Sequence, residues 1–405
     1  MKVLLWKPLL IAGLTALSLS QPVMGAETLA LVLDQAWRIQ PQARALDTRD
    51  AEARAVQEIA NRLTPEPGSL SISERGDRYN GNAGMREVEI EIATPLWLPG
   101  QKSAQRAVGA SRMEEAAAYR LVLRWEIAGE VRNAWWTLAA ARNAMTLATR
   151  NRDTALNLAT EVQRRFKVGD LSRMDANVAQ MEARSAESTM LDAQTSLLQE
   201  EQRFRVLTGL AAPLAIQEEM PAEQSSRQPQ THPQFVAAIA QAHSAHAKRK
   251  LVDQSQRSAP ELALRMVRER ADMFSPTANS VGIRLKIPFS SGAQVRRDTS
   301  AAQAEAEIAD AELQRLQLRL ELDFQHAQQT LQATQRQAAL ASERRALSAD
   351  NLQLAEKSFS LGESDLSSLL RSRAAANEAE AFLLQQTVAR GAAISRLNQA
   401  MGVLP

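Results

Sequence analysis

Two segments decide the fold of this chain: MREVEIEIATPL at residues 85–96 and NSVGIRLKIPF at residues 279–289. Both alternate apolar and polar residues. The polar positions of the first segment carry three carboxylates and those of the second carry two cations: Glu87, Glu89, Glu91, Arg284 and Lys286. Because successive side chains of a strand point to opposite faces, each segment predicts a strand with one apolar and one polar face.

A weaker copy precedes each of these strands, GSLSISE at residues 68–74 and PELALRMV at residues 260–267. A polar stretch separates the two members of each pair, as in a hairpin loop. We therefore predict two β-hairpins, with strands at about residues 68–75, 86–95, 261–268 and 280–289.

Landmark residues recur along the chain at one fixed offset of 193 residues: Pro95 and Pro288, Phe166 and Phe359, Gly169 and Gly362, Gly209 and Gly402. The flanking sequences agree, since RFKVGDLS corresponds to SFSLGESDLS. Such self-similarity across a whole half-chain indicates a tandem duplication. We predict a first repeat at residues 27–220 and a second at residues 221–405.

Each predicted repeat contains one very long helix, at residues 101–166 and 294–358, with apolar residues at helical spacing. At 1.5 Å per residue, each helix would be about 100 Å long. Two shorter helices per repeat together match that length, at about residues 30–62 and 172–208, then at about 234–257 and 365–401. We expect these to lie end to end alongside the long helices. The helical spacing of apolar residues is compatible with a soluble coiled-coil rod and with a helical tube. The predicted strands decide between these two architectures.

The first 26 residues have the pattern of an export signal peptide. Lys2 and Lys7 supply positive charge, residues 8–19 are apolar, and the small residues Gly25 and Ala26 offer a cleavage site. An N-terminal membrane anchor is the alternative, but the apolar run is shorter than the roughly 20 residues that a spanning helix needs. We expect an exported chain whose mature part has no membrane helix.

Four amphipathic strands in an exported chain favour a membrane β-barrel over a soluble two-faced sheet. The strands approach the length of about 9–11 residues that crosses a bilayer, and Trp97 lies where an interfacial aromatic residue would be. Four strands cannot close a barrel, which takes about eight, and lipid does not tolerate open strand edges. Two or three subunits must therefore share one barrel. Its lumen would be lined by the charged polar faces, as ion-selecting rings or as a solvated wall.

The turn RRFKVGDLSRMDANVAQ at residues 164–180 resembles the first helical tip of the TolC family of outer-membrane efflux proteins. Members of that family carry an aromatic residue, then Val-Gly, then an Asp, which are here Phe166, Val168, Gly169 and Asp175. The segment SFSLGESDLSSLLRS at residues 358–372 resembles the second tip, and the resemblance covers essentially the whole mature chain. It implies an α+β fold, in which a long antiparallel α-helical barrel joins a twelve-stranded trimeric β-barrel with four strands from each subunit.

The resemblance also implies partners and sites. A homotrimer in the outer membrane, with most of its mass in the periplasm, would work with a periplasmic adaptor and an inner-membrane pump of the RND type. The expected docking residues are Val168, Gly169, Leu171, Leu361, Gly362 and Leu366, and the expected constriction residues are Asp175, Asp365, Ser368 and Arg371. Several relatives carry acidic residues where this chain has Ser368 and Arg371, so a cation-selective gate does not carry over. Arg371 would form a positive ring or pair with Asp365.

The segment ATPLWLPGQKSAQR at residues 93–106 resembles the CzcC-like members, which serve heavy-metal efflux pumps. Metal cations are therefore the leading substrate class, and drug efflux and type I protein secretion stay open. Two other classes also carry long antiparallel helices, namely periplasmic adaptors and structural coiled-coil scaffolds. The two equivalent hairpins and the paired amphipathic strands disfavour both.

The composition argues against catalysis and against cofactors. The chain has no cysteine and a formal net charge of +2, which excludes thiol chemistry and gives no concentrated basic surface for nucleic acid. No phosphate-binding loop or Ser-His-Asp arrangement is evident. His243 and His246 share a helix face at a spacing that can bind a metal ion, but without a third ligand we predict no metal site. We expect a passive duct that is not an enzyme.

Overall fold

A computed structural model describes residues 28–213, 215–223 and 229–405. The predicted signal peptide, residues 1–26, lies outside these ranges. The helices are α1 (Leu29–Ile39), α2 (Pro41–Arg44), α3 (Leu46–Asn61), α4 (Gln101–Lys167), α5 (Arg173–Thr208), α6 (Pro233–Gln254), α7 (Gly292–Ser360) and α8 (Leu366–Ala400). The strands are β1 (Ser69–Gly76), β2 (Arg86–Pro95), β3 (Glu261–Arg270) and β4 (Ala278–Lys286), and a short 3₁₀ helix spans Pro229–Thr231. The predicted α+β fold class is confirmed.

The single helix expected at about residues 30–62 is divided into three. Gln40 is extended, with φ −65° and ψ 127°, and Pro41 opens the short helix α2. A proline disfavours the helical conformation of the residue before it and cannot donate a helical hydrogen bond. Helix α1, which ends before this break, buries Val32, Leu33 and Ala36 against the middle of α4.

The four strands form one antiparallel sheet in the order β1-β2-β3-β4. The register places Ile72 opposite Ile90, Ile90 opposite Met266, and Met266 opposite Val281. Because side chains alternate along each strand, this register brings the apolar residues of all four strands onto one face. Strand β4 ends at Lys286, earlier than expected, just before Ile287 and Pro288. Proline has no N–H for a strand ladder.

The long helices α4 and α7 have 67 and 69 residues, which corresponds to about 100 Å each. Helices α3 and α5 both pack along α4, and α6 and α8 both pack along α7, as the end-to-end arrangement requires. Helix α4 also contacts α6 and α8. The lateral order is therefore α3–α4–α6–α7 in the half next to the sheet and α5–α4–α8–α7 in the half that ends at the tips.

The main hydrophobic core lies halfway along α4. Trp135, Val131 and Leu138 of this helix are fully buried against α1 and against Phe204 of α5. The segment between the repeats is fixed to the same place, since Trp135 Nε1 donates to the Gln217 carbonyl at 3.1 Å. None of the described helices is both long enough and apolar enough to span a membrane.

Candidate channel wall and helical tips

One face of the sheet is an exposed apolar band. Its members are 40–78% exposed: Leu70, Ile72, Ile90, Ile92, Leu262, Leu264, Met266, Val281, Ile283 and Leu285. All four strands contribute, so the band runs unbroken from β1 to β4. A continuous exposed apolar surface of this kind marks contact with another apolar phase or another protein.

The opposite face is polar, and it is more buried on the two central strands, β2 and β3. Glu91 is 6% exposed, and Ala93, Ala263 and Val267 beside it are also buried. Arg265 and Arg284 reach across to Glu89 and Glu91, so long charged side chains cover the polar face of the two central strands. On these strands the apolar band is therefore the more exposed face.

All five charged residues predicted for a lumen wall lie on this polar face, and each forms an ion pair there. Glu87 pairs with Arg75 at 2.6 Å, and Glu89 pairs with Arg265 at 3.6 Å. Glu91 pairs with Arg284, and Lys286 lies 3.4 Å from Glu261. Arg75 and Arg265 are not among the predicted lumen residues, although the same alternation that selects Glu87 and Arg284 assigns both to the polar face.

Glycines reverse the chain at both helical tips. Helix α4 is followed by Val168 and Gly169, and helix α7 by Leu361 and Gly362. The two glycines have φ of +83° and +75°, a left-handed conformation that residues with a side chain rarely adopt. The backbone N–H of Asp170 donates to the carbonyl of Arg165 at 2.9 Å, which satisfies one of the last carbonyls of α4.

The predicted constriction residues Asp175 and Asp365 are helix caps. Ser172 Oγ accepts from the Asp175 backbone N–H at 3.1 Å, and the Asp175 carboxylate accepts from the Ser172 backbone N–H at 3.1 Å. The Asp365 carboxylate accepts from the Ser368 backbone N–H at 2.9 Å. The alternative ion pair between Asp365 and Arg371 is not formed, because this carboxylate faces the start of α8. Arg371 is exposed and has no ion pair within the described ranges.

The predicted docking residues divide into exposed and buried ones. Val168 and Leu361 are 73% and 63% exposed, whereas Leu171 is half-buried. Leu366 is only 2% exposed, so it is a core residue and presents no surface for a partner. It packs with Leu158, Val162, Ala176, Ala179, Phe359 and Leu369 in a cluster that joins the two tips, which we call the tip core.

The overall fold is similar to that of known proteins. Residues 66–210 match the family described as outer membrane efflux protein. The structure of the CmeC outer membrane channel of Campylobacter jejuni superposes with a TM-score of 0.76, covering 99% of this chain and 94% of that one, at 14% identity. The chain has the fold of the TolC-family outer-membrane channels.

Two relatives match this TolC-like chain in sequence. The cobalt-zinc-cadmium resistance protein CzcC of Cupriavidus metallidurans is 27% identical over 193 residues, which are 47% of this chain and 44% of CzcC. Protein CyaE of Bordetella pertussis is 27% identical over 268 residues, 62% of this chain and 55% of CyaE. The matches thus span about half the length of these relatives.

Charge at the first tip of the TolC-like fold is concentrated around Glu161. Hydrogen bonds from Arg164 and Arg165 lower the pKa of the Glu161 carboxyl from 4.5 to about 2. Arg165 also lies over the ring of Phe359, 5.2 Å from its centroid. Arg165 therefore contacts both its own helix, through Glu161, and the second tip, through Phe359.

The histidines of α6 have separate acidic partners. His243 Nδ1 lies 3.6 Å from Glu114 of α4, whereas His246 Nε2 lies 3.0 Å from Asp310 of α7. The two side chains therefore bridge α6 to the two long helices on either side. Across the described ranges, no three potential metal ligands are grouped together.

Proposed function

We propose that three copies of this chain form a passive exit channel in the outer membrane. Their strands close one twelve-stranded β-barrel, and their helices continue it as a periplasmic tube. Substrate enters from an inner-membrane pump of the RND type through a periplasmic adaptor. The observation that carries this proposal is the exposed apolar band on a sheet whose two outer strands, β1 and β4, each pair with only one strand among the described residues.

The sheet requires partners for two physical reasons. A barrel takes about eight strands to close, and one chain supplies four. Lipid offers no hydrogen bonds to open strand edges, so an isolated four-stranded sheet is not stable in a bilayer. Two copies would give about eight strands and an interior filled by side chains, whereas three copies leave an open lumen.

The helices and the sheet have the same lateral order, which supports closure by one repeated contact. Strand β1 and helices α3 and α5 lie on one side, and β4 and α7 lie on the other. In one contact between neighbouring copies, β4 of one copy would pair with β1 of the next. In the same contact, α7 of the first copy would pack against α5 of the next. A head-to-tail contact of this type generates a closed ring when its rotation closes.

Exposed apolar residues along the outer helices support the same contact. Helix α7 presents Leu340, Leu347 and Leu354, seven residues apart and 59–69% exposed. Helix α5 presents two pairs at the same spacing, 53–72% exposed: Met174 with Met181, and Leu191 with Leu198. A seven-residue repeat is the pattern of a helix that packs lengthwise against another helix.

A periplasmic adaptor and a coiled-coil scaffold are disfavoured as alternatives, because each would be a water-soluble protein. An apolar band exposed along four strands would promote aggregation of a water-soluble protein. The test is Ile283→Arg in the apolar band, compared with Ser280→Arg on the polar face of the same strand. We expect the first variant to lose outer-membrane assembly, since an arginine facing lipid costs about 2–4 kcal/mol at mid-bilayer. Equal assembly of both variants would contradict a membrane barrel.

Metal cations are the substrate class we propose. The support is the match to CzcC, a cobalt-zinc-cadmium resistance protein, over 47% of this chain. The test is growth of a deletion strain on a panel of metal ions and organic compounds. Sensitivity restricted to metal ions would support the proposal, whereas sensitivity to unrelated organic compounds would indicate a general exit duct.

The tips are the proposed docking surface for the adaptor. The exposed Val168 and Leu361 flank the reversing glycines Gly169 and Gly362, and Leu171 borders the same surface. An adaptor hairpin would pack its helices into the groove between the tips, as in helix-to-groove recognition.

A further inference from the structure

We propose that the barrel lumen is electrically compensated, and that Arg75, Arg265 and Arg284 prevent its glutamates from acting as a cation-selective ring. This inference rests on the proposed shared barrel. It concerns the wall of that barrel and not the tips. Cargo cations would therefore pass the barrel without being concentrated or retained by it.

Each glutamate on the polar face of β2 has an arginine from a different strand. Glu87 pairs with Arg75 of β1, directly opposite in the register. Glu89 pairs with Arg265 of β3, and Glu91 pairs with Arg284 of β4. The acidic strand is therefore neutralised from both of its sides, by all three other strands.

Small residues make the longer reaches possible. Arg284 lies opposite Ala263, and Ala263 lies opposite Ala93, so Arg284 crosses β3 to reach Glu91 beside Ala93. The side chain of Arg265 lies against Gly282, where a Cβ would meet Arg265 Nε at 3.3 Å. A larger side chain at either small position would obstruct an arginine, so the pairs are built into the sheet.

The cations form the layer nearest the solvent. In the three pairs the arginine side chains are 73%, 46% and 50% exposed, whereas their glutamates are 24%, 22% and 8% exposed. A permeating ion therefore meets guanidinium groups before carboxylates. Uncompensated carboxylates in a cleft would instead raise the local cation concentration.

The charge count of the polar face agrees with this arrangement. It carries five carboxylates, Glu87, Glu89, Glu91, Glu261 and Glu269. It carries four cations, Arg75, Arg265, Arg284 and Lys286. The polar face therefore has one net negative charge per subunit. The three glutamates of β2 alone would give three negative charges per subunit.

The test is the reversal potential of the purified full-length protein in planar bilayers under a KCl gradient. The wild-type value is the reference for the variants, because it also contains the contribution of the tips. Arg284→Gln should shift it toward cation selectivity, by about twofold in the permeability ratio, and Glu91→Gln should shift it toward anion selectivity by a similar factor. Ser280→Gln, on the same face without a charge change, is the control and should leave it unchanged.

Conductance tests the shared barrel, and the change in ion selectivity between variants tests the compensated lumen. A conducting channel whose reversal potential is changed neither by Arg284→Gln nor by Glu91→Gln overturns the compensated lumen and leaves the channel standing. Absence of any conductance overturns the shared barrel, and the inference with it. Arg265→Gln and Glu89→Gln test the same point at the neighbouring pair if a variant at the first pair does not assemble. The tips are identical in all variants, so differences between variants come from the barrel.

Discussion

The guanidinium of Arg165 covers the ring of Phe359, 5.2 Å from its centroid, and so ties the first helical tip to the second. Arg165 also donates to the Phe359 carbonyl at 3.4 Å and to Glu161 of its own helix at 2.9 Å. Phe359 is the repeat counterpart of Phe166, the residue that follows Arg165. The two tips are thus joined by an arginine of one repeat and an aromatic residue of the other.

Replacing this arginine should loosen the second tip. Arg165→Gln removes the contact with the Phe359 ring, which is worth about 0.5–1 kcal/mol at exposed sites, and also the bond to its carbonyl. We expect faster amide hydrogen exchange at residues 355–365. Arg164→Gln is the matched control, because Arg164 binds the same Glu161 but has no contact with Phe359 among the described residues. Equal effects of both variants would show that Arg165 acts only through Glu161.

Acid should weaken the first tip through Glu161. The pKa of this carboxyl is lowered from 4.5 to about 2 by its hydrogen bonds to Arg164 and Arg165. A lowered pKa means that the ionised form stabilises the fold above pH 4.5, and that this contribution is lost as pH falls toward 2. We expect the exchange protection of wild type at residues 158–170 to exceed that of Glu161→Gln at neutral pH. The difference should vanish near pH 2, and a difference that does not change with pH would contradict the assignment.

Charge placed on the exposed tips should block docking without unfolding the chain. Val168→Asp and Leu361→Asp alter side chains that are 73% and 63% exposed, so the core is untouched. We expect loss of efflux-dependent resistance at normal protein levels in the outer membrane. Tyr79→Asp is the control, since Tyr79 is 99% exposed in the loop between β1 and β2, at the opposite end of the molecule. Full resistance of both tip variants would exclude these residues from docking.

Removing one partner of the buried ion pair between Arg132 and Glu219 should destabilise the middle of the molecule. The two side chains are 4% and 9% exposed, and their closest atoms are 2.7 Å apart. Arg132→Met leaves Glu219 buried without its cation, which costs about 3–5 kcal/mol of unfolding free energy. The loss is measured by chemical denaturation with tryptophan fluorescence.

The double variant Arg132→Met with Glu219→Met is the control for this pair. It removes both charges together, so its loss should be clearly smaller than that of Arg132→Met alone. A double variant as unstable as the single one would show that packing around Arg132, and not its charge, is what matters. Ser395 donates to the Glu219 carboxylate, so it keeps this acceptor in Arg132→Met and loses it in the double variant.

The sequence was sufficient for the fold because its signals are local and repeated. The alternation along β2 and β4 is visible from neighbouring residues alone. The offset of 193 residues between Gly169 and Gly362 is visible because the sequence is duplicated. The break at Pro41 was missed although proline is a clear signal, because the apolar spacing continues on both sides of it. The spacing of apolar residues identifies the buried face of a helix but does not show where the helix is interrupted.

The sites were less predictable because they depend on contacts between distant residues. The sequence assigns Glu91 and Arg284 to polar faces, but their pairing across β3 follows from the sheet order and from the small Ala263 between them. Similarly, the sequence predicts Asp365 at the constriction, and the structure adds that this residue caps α8. Leu366 follows directly and is buried in the tip core, a fact that no local pattern indicates.

The most direct test of the shared barrel is cross-linking of its two outer strands in the outer membrane. The chain has no cysteine, so Ser71→Cys in β1 and Ser280→Cys in β4 would be its only thiols. Within one chain these positions are three strand spacings apart, about 14 Å, so a shorter bifunctional thiol reagent joins only different copies. Leu70→Cys with Ile92→Cys, directly opposite on β1 and β2, is the control that cross-links within one chain. The account predicts products that end at three chains; products that end at two chains, or none beyond the single chain, would contradict it.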